Sequence, residues 1–324
     1  MAQGSSNMAQ RGTLAAPRIP WALALVFLTF LARPTFCPAE SVKCTGGVKV
    51  VPREGLFVSE PNPEWFGNGP NPDVPEAQNW TNANWLKSRF HFNFAEYSHG
   101  PSNFGVLRVM NDDLVQARRG FGSHPHRDME ILTFILQGNL THKDSIGTQE
   151  TLGRGGLQYM TAGSGVLHSE QNLHDEPLRF IQCWVLPRQR GLNPRYGSMA
   201  GDALAKASRL NQWSHIVSDV SAQAQTPVKI HQDCNVYISE LNSETPGPEG
   251  LERSELLLNL GRQGYLLCAE GSVQISDSLG EQHELRQHDA AELKGPLKLK
   301  PTPKSRTALL ILFEMKETSD LLQN

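Results

Sequence analysis

The apolar pattern along the chain is one of short runs and alternations, not of long amphipathic periods. Residues 131–136, Ile131-Leu132-Thr133-Phe134-Ile135-Leu136, form a run rich in β-branched and aromatic side chains that is closed by Gly138-Asn139. Such a run, bounded by turn residues, predicts a buried strand, with residues 141–145 as the returning arm of a hairpin. Upstream, Phe90-His91-Phe92-Asn93-Phe94 alternates aromatic and polar positions and predicts a strand with one buried face, in which His91 is structural. Residues 179–187 read as a further buried strand ended by proline. Strand signals return at 228–231, 236–238, 256–258, 265–267 and 309–313, separated by Gly, Pro and Asp. This spacing predicts a second β-barrel or sandwich, so the fold class is all-β with two tandem barrels.

Polar clusters flank the first buried run. Gly122-Ser123-His124-Pro125-His126-Arg127-Asp128-Met129-Glu130 precedes it, and Gly163-Ser164-Gly165-Val166-Leu167-His168-Ser169-Glu170 follows. Side chains alternate along an extended strand, so His124 and His126 share a face, as do His168 and Glu170. Facing each other inside a small barrel, the two pairs bring three imidazoles and a carboxylate to one point. That set suits a first-row divalent ion such as Fe, Mn, Ni, Cu or Zn, and on a six-coordinate metal it leaves two positions for substrate and dioxygen. Packing offers a plainer account, in which His-Pro-His is a polar loop. If the strand runs unbroken from His124, Glu130 shares the same face and competes with Glu170 as the acidic ligand; parity does not choose between them. His142 reads as a surface residue or a neighbour of the ligands, and His283 and His288 as surface residues around a turn.

These elements, together with Phe104-Gly105-Val106-Leu107-Arg108-Val109-Met110-Asn111-Asp112-Asp113 and Gly191-Leu192-Asn193-Pro194, resemble the pirin family of the cupin superfamily, over residues from about 85 to 314. The resemblance implies a bicupin of two double-stranded β-helix, jelly-roll-like domains, of which the N-terminal one binds metal and the C-terminal one does not. It implies His124, His126, His168 and Glu170 as ligands of one divalent ion per chain, with Fe(II) as the expected occupant and Mn, Ni, Cu or Zn as alternatives. Glu130 then takes a supporting role. The implied activity is that of a quercetin 2,3-dioxygenase-like enzyme, which opens the ring of a flavonol-type substrate with dioxygen and uses Glu170 as general base. The family also implies an alternative, a metal-containing regulatory or transcription-cofactor-like protein with a protein partner. A metal-dependent isomerase or hydrolase is chemically allowed as well.

Composition narrows these readings. A formal charge of −3 supplies no basic excess for a phosphate backbone, so direct nucleic-acid binding is not expected. Residues 153–156 form a glycine-rich turn without the Lys-Ser/Thr of a phosphate loop. Arg11 and Arg18 precede the apolar run 21–32, and no acidic residue appears before Glu40. That pattern predicts a targeting peptide over 1–45, organellar (plastid-like) or secretory, because the run is too short for a stable membrane span. Without a working leader, the expected address is cytoplasm or nucleus. Cys37 and Cys44 flank the expected cleavage region, and Cys183, Cys234 and Cys268 sit in apolar contexts as free thiols. The expected organisation is a Pro/Gly/Asn-rich lead-in over 46–80, a metal-binding barrel over 81–187, a connection over 188–227 with a short helix near 202–208, a second barrel over 228–316 and a tail over 317–324.

Overall fold

The computed structural model describes residues 46–71, 79–245 and 255–317; the expected leader, with Cys37 and Cys44, and the expected tail beyond Glu317 lie outside the described residues. Strands dominate and are grouped in four sheets, two of seven strands and two of four. In each half of the chain a seven-stranded sheet packs on a four-stranded one, which is the double-stranded β-helix of a cupin barrel. Among the described residues no helix is long and apolar enough to cross a membrane.

The first barrel's large sheet runs in the order Arg195–Met199, Leu157–Thr161, Glu130–Gln137, Leu178–Val185, Leu107–Val115, Leu86–Phe90 and Phe57–Ser59. Its small sheet is Gly120–His126, Val166–Gln171, Asn139–Asp144 and Gln149–Gly153. Leu178–Val185 shows why the apolar runs lack alternation. Phe180 points into the first barrel with Trp85, Leu140 and Leu152, whereas Ile181, Cys183 and Val185 point outward and join Val236, Ile311 and Phe313 of the second barrel in a single core. The two large sheets therefore stack back to back, and their central strands are buried on both faces. The second barrel is filled by its own apolar set, including Leu266, Val273, Leu285, Leu297 and Leu310. Cys183, Cys234 and Cys268 are buried free thiols in these strands.

Several expectations are corrected here. Asn139–Asp144 does not return as a hairpin on Glu130–Gln137; it pairs with Gln149–Gly153 and Val166–Gln171 in the other sheet. Gly138 (φ 72°) is the corner between the sheets, and a side chain there would strike the carbonyl of Pro177. The lead-in contributes to both barrels, with Val48–Val51 paired to Ala290–Lys294 of the second and Phe57–Ser59 paired to Leu86–Phe90 of the first. The stretch read as a connection supplies the edge strand Arg195–Met199 to the first barrel and the internal strand Ser214–Asp219, between Cys234–Asn242 and Val228–Ile230, to the second. Edge strands keep a solvated face, so their composition resembles that of loops. Between these two strands lies the helix Ala203–Arg209, capped by Asp202, which accepts from the Ala205 amide at 2.9 Å.

His288 is a half-buried part of the junction between the barrels, not a surface residue. Its Nδ1 lies 2.6 Å from Asp112 Oδ2, and Arg179 grips the same carboxylate through Nε and Nη2 at 2.9 and 2.7 Å. Burial alone would raise the Asp112 pKa, but these hydrogen bonds from His288 and Arg179 outweigh it and hold the carboxyl below the usual carboxylate range.

Candidate metal centre

Gly120–His126 and Val166–Gln171 are antiparallel neighbours in the small sheet, with His168 directly opposite His124 and Val166 opposite His126. Along the first strand Ser123 and Pro125 face outward, while His124 and His126 face the barrel interior. Along the second, Leu167 is half exposed, whereas His168 and Glu170 are buried. A bulge between His168 and Glu170 increases the local twist without losing that alternation. One ring nitrogen each from His124, His126 and His168 lies within 4.8 Å of the others, and the Nε2 atoms of His124 and His168 are 3.0 Å apart.

The hydrogen bonds around these rings set their chemistry. His124 Nδ1 lies 2.8 Å from the carbonyl oxygen of Gly122, which can only accept, so the proton is on Nδ1 and the Nε2 lone pair faces the cluster. Burial, reinforced by the neighbouring imidazoles, pushes the pKa of His126 and of His168 down to about 3, so both rings are neutral at physiological pH. His126 Nε2 is buried with no hydrogen-bond partner among the described residues. Its ring is held edge-on to Trp184, with centroids 4.8 Å apart. Three converging imidazoles, two of them carrying a buried nitrogen without a hydrogen-bond partner among the described residues (His126 Nε2 and His168 Nδ1), are the donor set of a first-row divalent metal.

Glu170 sits beside His168 in an overlapping group of potential ligands with His142, all three buried. Its carboxylate is fixed at both oxygens: Gln158 Nε2 donates to Oε1, and Gln182 Nε2 donates to Oε2 at 2.7 Å. Gln182 is itself oriented by the Trp184 indole N–H, 3.1 Å from its Oε1.

Glu130 is not part of the cluster. The strand breaks after His126 at Asp128, which takes a left-handed φ of 49°, and Glu130 begins a strand of the other sheet. Its carboxylate accepts from Thr161 Oγ1 at 2.7 Å, and from the backbone N–H and Nδ1 of His231 in the second barrel at 3.0 and 2.9 Å. It ties the barrels together. His91 is structural, as expected: it is 2% exposed, and its Nδ1 is 3.0 Å from the Tyr265 hydroxyl across the barrel junction. His142 lies opposite Glu170 in register and is fully buried, with Nε2 2.9 Å from Asp144 Oδ2 and its ring stacked on Tyr196. It lies beside His168 and Glu170, and the surface placement is excluded. Sequence reasoning passed over Asp144, Gln158 and Gln182; an isolated Gln in the apolar run 180–185 was the available signal.

Beside the histidines opens a cavity of about 410 Å³, walled by aromatic side chains that include Phe90, Phe94, Phe121 and Trp184. Trp65, in the 3₁₀ turn Pro63–Phe66 of the expected lead-in, lines it while remaining 76% exposed, so the lead-in does contribute to the site. Besides His124, His126, Glu170 and Gln182, the polar residues Ser59, Ser88, Glu96, Asn111 and Asp113 also line the cavity.

Residues 73–185 match the Pirin family model, and residues 216–315 match the model of the quercetinase C-terminal cupin domain. A quercetin 2,3-dioxygenase of Escherichia coli is 41% identical over 198 residues, 60% of this chain and 79% of that protein. A pirin-like protein of Caulobacter vibrioides is 36% identical over 194 residues, 59% of this chain and 78% of its own length. Among solved structures, a bacterial pirin of Escherichia coli in complex with nickel(II) superimposes with a TM-score of 0.64 at 25% identity, covering 84% of this chain and all of that one. The two barrels, the imidazole cluster and these matches together show that the chain belongs to the pirin family of bicupins.

Proposed function

We propose that this protein is a metal-dependent dioxygenase that opens the ring of flavonol-type, quercetin-like substrates, with His124, His126, His168 and Glu170 as the ligands of one divalent ion, Fe(II) by preference. The observation that carries this reading is the convergence of three imidazoles, with the buried Glu170 carboxylate beside His168, at the end of an aromatic-walled cavity. A divalent ion held there supplies a Lewis acid for a substrate oxygen and a redox partner for dioxygen. The relatives named quercetin 2,3-dioxygenase and the nickel(II) complex of a bacterial pirin support the same reading.

The chain's own residues have separate tasks. Phe90, Phe94, Phe121 and Trp184 offer apolar faces that seat a planar aromatic molecule and exclude water from the reacting end. Trp184 also fixes the plane of His126. Glu170 accepts the proton of the substrate hydroxyl at Oε2, because Gln158 and Thr133 both donate to Oε1 while Oε2 receives Gln182 alone and keeps a lone pair.

The test is elemental analysis of protein purified without added metal, combined with oxygen uptake on quercetin by the wild type and by His126→Ala. About one iron, nickel, manganese or copper per chain is expected, with oxygen consumption abolished in the variant. Stoichiometric metal with no oxygen uptake across a flavonoid panel would refute the dioxygenase assignment. Metal retained in His126→Ala would refute the ligand set.

A further inference from the structure

The metal ligands occupy one side of the cavity; a second polar group lies across it with no part in holding them. Leu107–Val115 is a central strand whose side chains alternate, so Asp112 faces the second barrel while Asn111 and Asp113 face the cavity. Both are 4% exposed. Asn111 Oδ1 is buried with no hydrogen-bond partner among the described residues, a costly state for an amide inside a protein. The hydrogen bond that Asp113 receives from Ser88 Oγ engages Oδ1 alone. Asn111 is paired across the sheet with Gln182, the residue that positions Glu170. One strand spacing, about 5 Å, therefore separates Asn111 from Gln182, and Asp113 lies two residues further along the same strand.

We propose that Asn111 and Asp113 form a second recognition point that binds a phenolic hydroxyl of the substrate remote from the metal, so that the enzyme selects planar aromatics carrying at least two separated hydroxyl groups. The proposal rests on the flavonol reading for the identity of the substrate, and on the orphaned Asn111 amide for the site itself. A hydroxyl is the group that fits both neighbours, since it donates to Asn111 Oδ1 and accepts from a protonated Asp113. Burial, reinforced by the charges of Asp112 and Glu170, raises the Asp113 pKa to about 8, so the carboxyl is mostly neutral at physiological pH and able to donate. An anionic substituent would meet the buried Asn111 oxygen with no Lys or Arg in the cavity lining to balance it. An ether or hydrogen at this position would leave the Asn111 oxygen unpaired, and rejection of an analogue that lacks the hydroxyl is the expected signature of such a pocket.

The experiment compares two flavonols on the metal-loaded full-length protein by fluorescence titration: quercetin, hydroxylated on both outer rings, and 3-hydroxyflavone, which keeps only the hydroxyl at the chelating position. Wild type is expected to bind quercetin at least about tenfold more tightly. Asn111→Leu is expected to bring the ratio to within about twofold, with thermal midpoint and metal content measured alongside. If Asn111→Leu does not fold, Asn111→Ala carries the same expectation. Asp113→Asn, which keeps a neutral donor in place, is expected to retain the preference. An unchanged ratio in the Asn111 variants overturns the proposal while leaving the dioxygenase reading intact. If neither flavonol binds wild type, the flavonol reading fails, and a second arm decides the site. Phenol and anisole are then titrated by NMR: a response to phenol alone that disappears in Asn111→Leu upholds the hydroxyl site, and equal responses to both probes overturn it.

Discussion

Replacing Gln182 by leucine tests whether Glu170 belongs to the metal centre, because it removes one hydrogen bond to the carboxylate without adding charge or much volume. Gln182 Nε2 lies 2.7 Å from Glu170 Oε2, and Gln182 Oε1 accepts from the Trp184 indole at 3.1 Å. A hydrogen bond to a charged group contributes about 1.5–3 kcal/mol. Glu170 keeps its bond from Gln158, so the whole of that energy is not lost as fold stability; part of it appears as loosened aim of the carboxylate. Loss of a residue that orients a ligand typically weakens metal binding by about 10- to 100-fold, which agrees with the hydrogen-bond energy at about 1.4 kcal/mol per factor of ten. Trp184, no longer held, also frees the ring of His126 that it packs against. The assay is competition for nickel(II) or iron(II) against a chelator of known affinity, on wild type, Gln182→Leu, Gln158→Leu and the double variant. Each single variant is expected to lose about tenfold or more in affinity. The double variant should depart from the sum, because both side chains act through one carboxylate. Unchanged metal affinity in both single variants would show that Glu170 is a packing residue and that the three histidines hold the ion without it.

Asp112→Asn leaves Arg179 and His288 without their anion at the barrel junction and is expected to cost about 3–5 kcal/mol, read as a fall in the urea midpoint. Because the folded carboxyl titrates below its unfolded value, its contribution is complete above about pH 4 and falls away as the pH drops below that value; wild type should lose stability there faster than the variant. Asp113 behaves in the opposite sense. Its folded pKa of about 8 lies above the unfolded value, so its contribution is complete below about pH 4 and is lost as the pH rises through 8, and Asp113→Asn is expected to show a flatter stability profile between those limits in pH-dependent urea unfolding. Chelation of the metal should lower the thermal midpoint by several degrees, since an ion present at 100 times its dissociation constant stabilises the folded state by about 2.7 kcal/mol. A midpoint unmoved by chelator in metal-replete protein would contradict the proposed site.

Much of the site was legible before folding because strand periodicity is a local property. Two residues apart in an extended chain means one face, so His124 with His126, and His168 with Glu170, were paired by spacing alone. The barrel then had only to bring the two strands together, and it does so with His168 opposite His124. The all-β class and the two barrels followed from short apolar runs punctuated by Gly and Pro. The competition between Glu130 and Glu170 had no local answer: it turned on a left-handed residue at Asp128 and on His231, 101 residues away, which claims the Glu130 carboxylate. His288 was misplaced at the surface, and His142 left open between the surface and the neighbourhood of the ligands, for the same reason, since burial of a polar side chain is decided by the partner that tertiary contact delivers, Asp144 for His142 and Asp112 for His288. Edge strands in the lead-in and in the connection were hidden by their solvated composition, and their pairing partners are far away in the chain. Sequence by itself determined the ligand spacing and the strand content. Only the folded chain decided which carboxylate faces the histidines, which amides hold it, and which polar atoms wait across the cavity, because those are contacts between strands and periodicity describes only a strand's own faces.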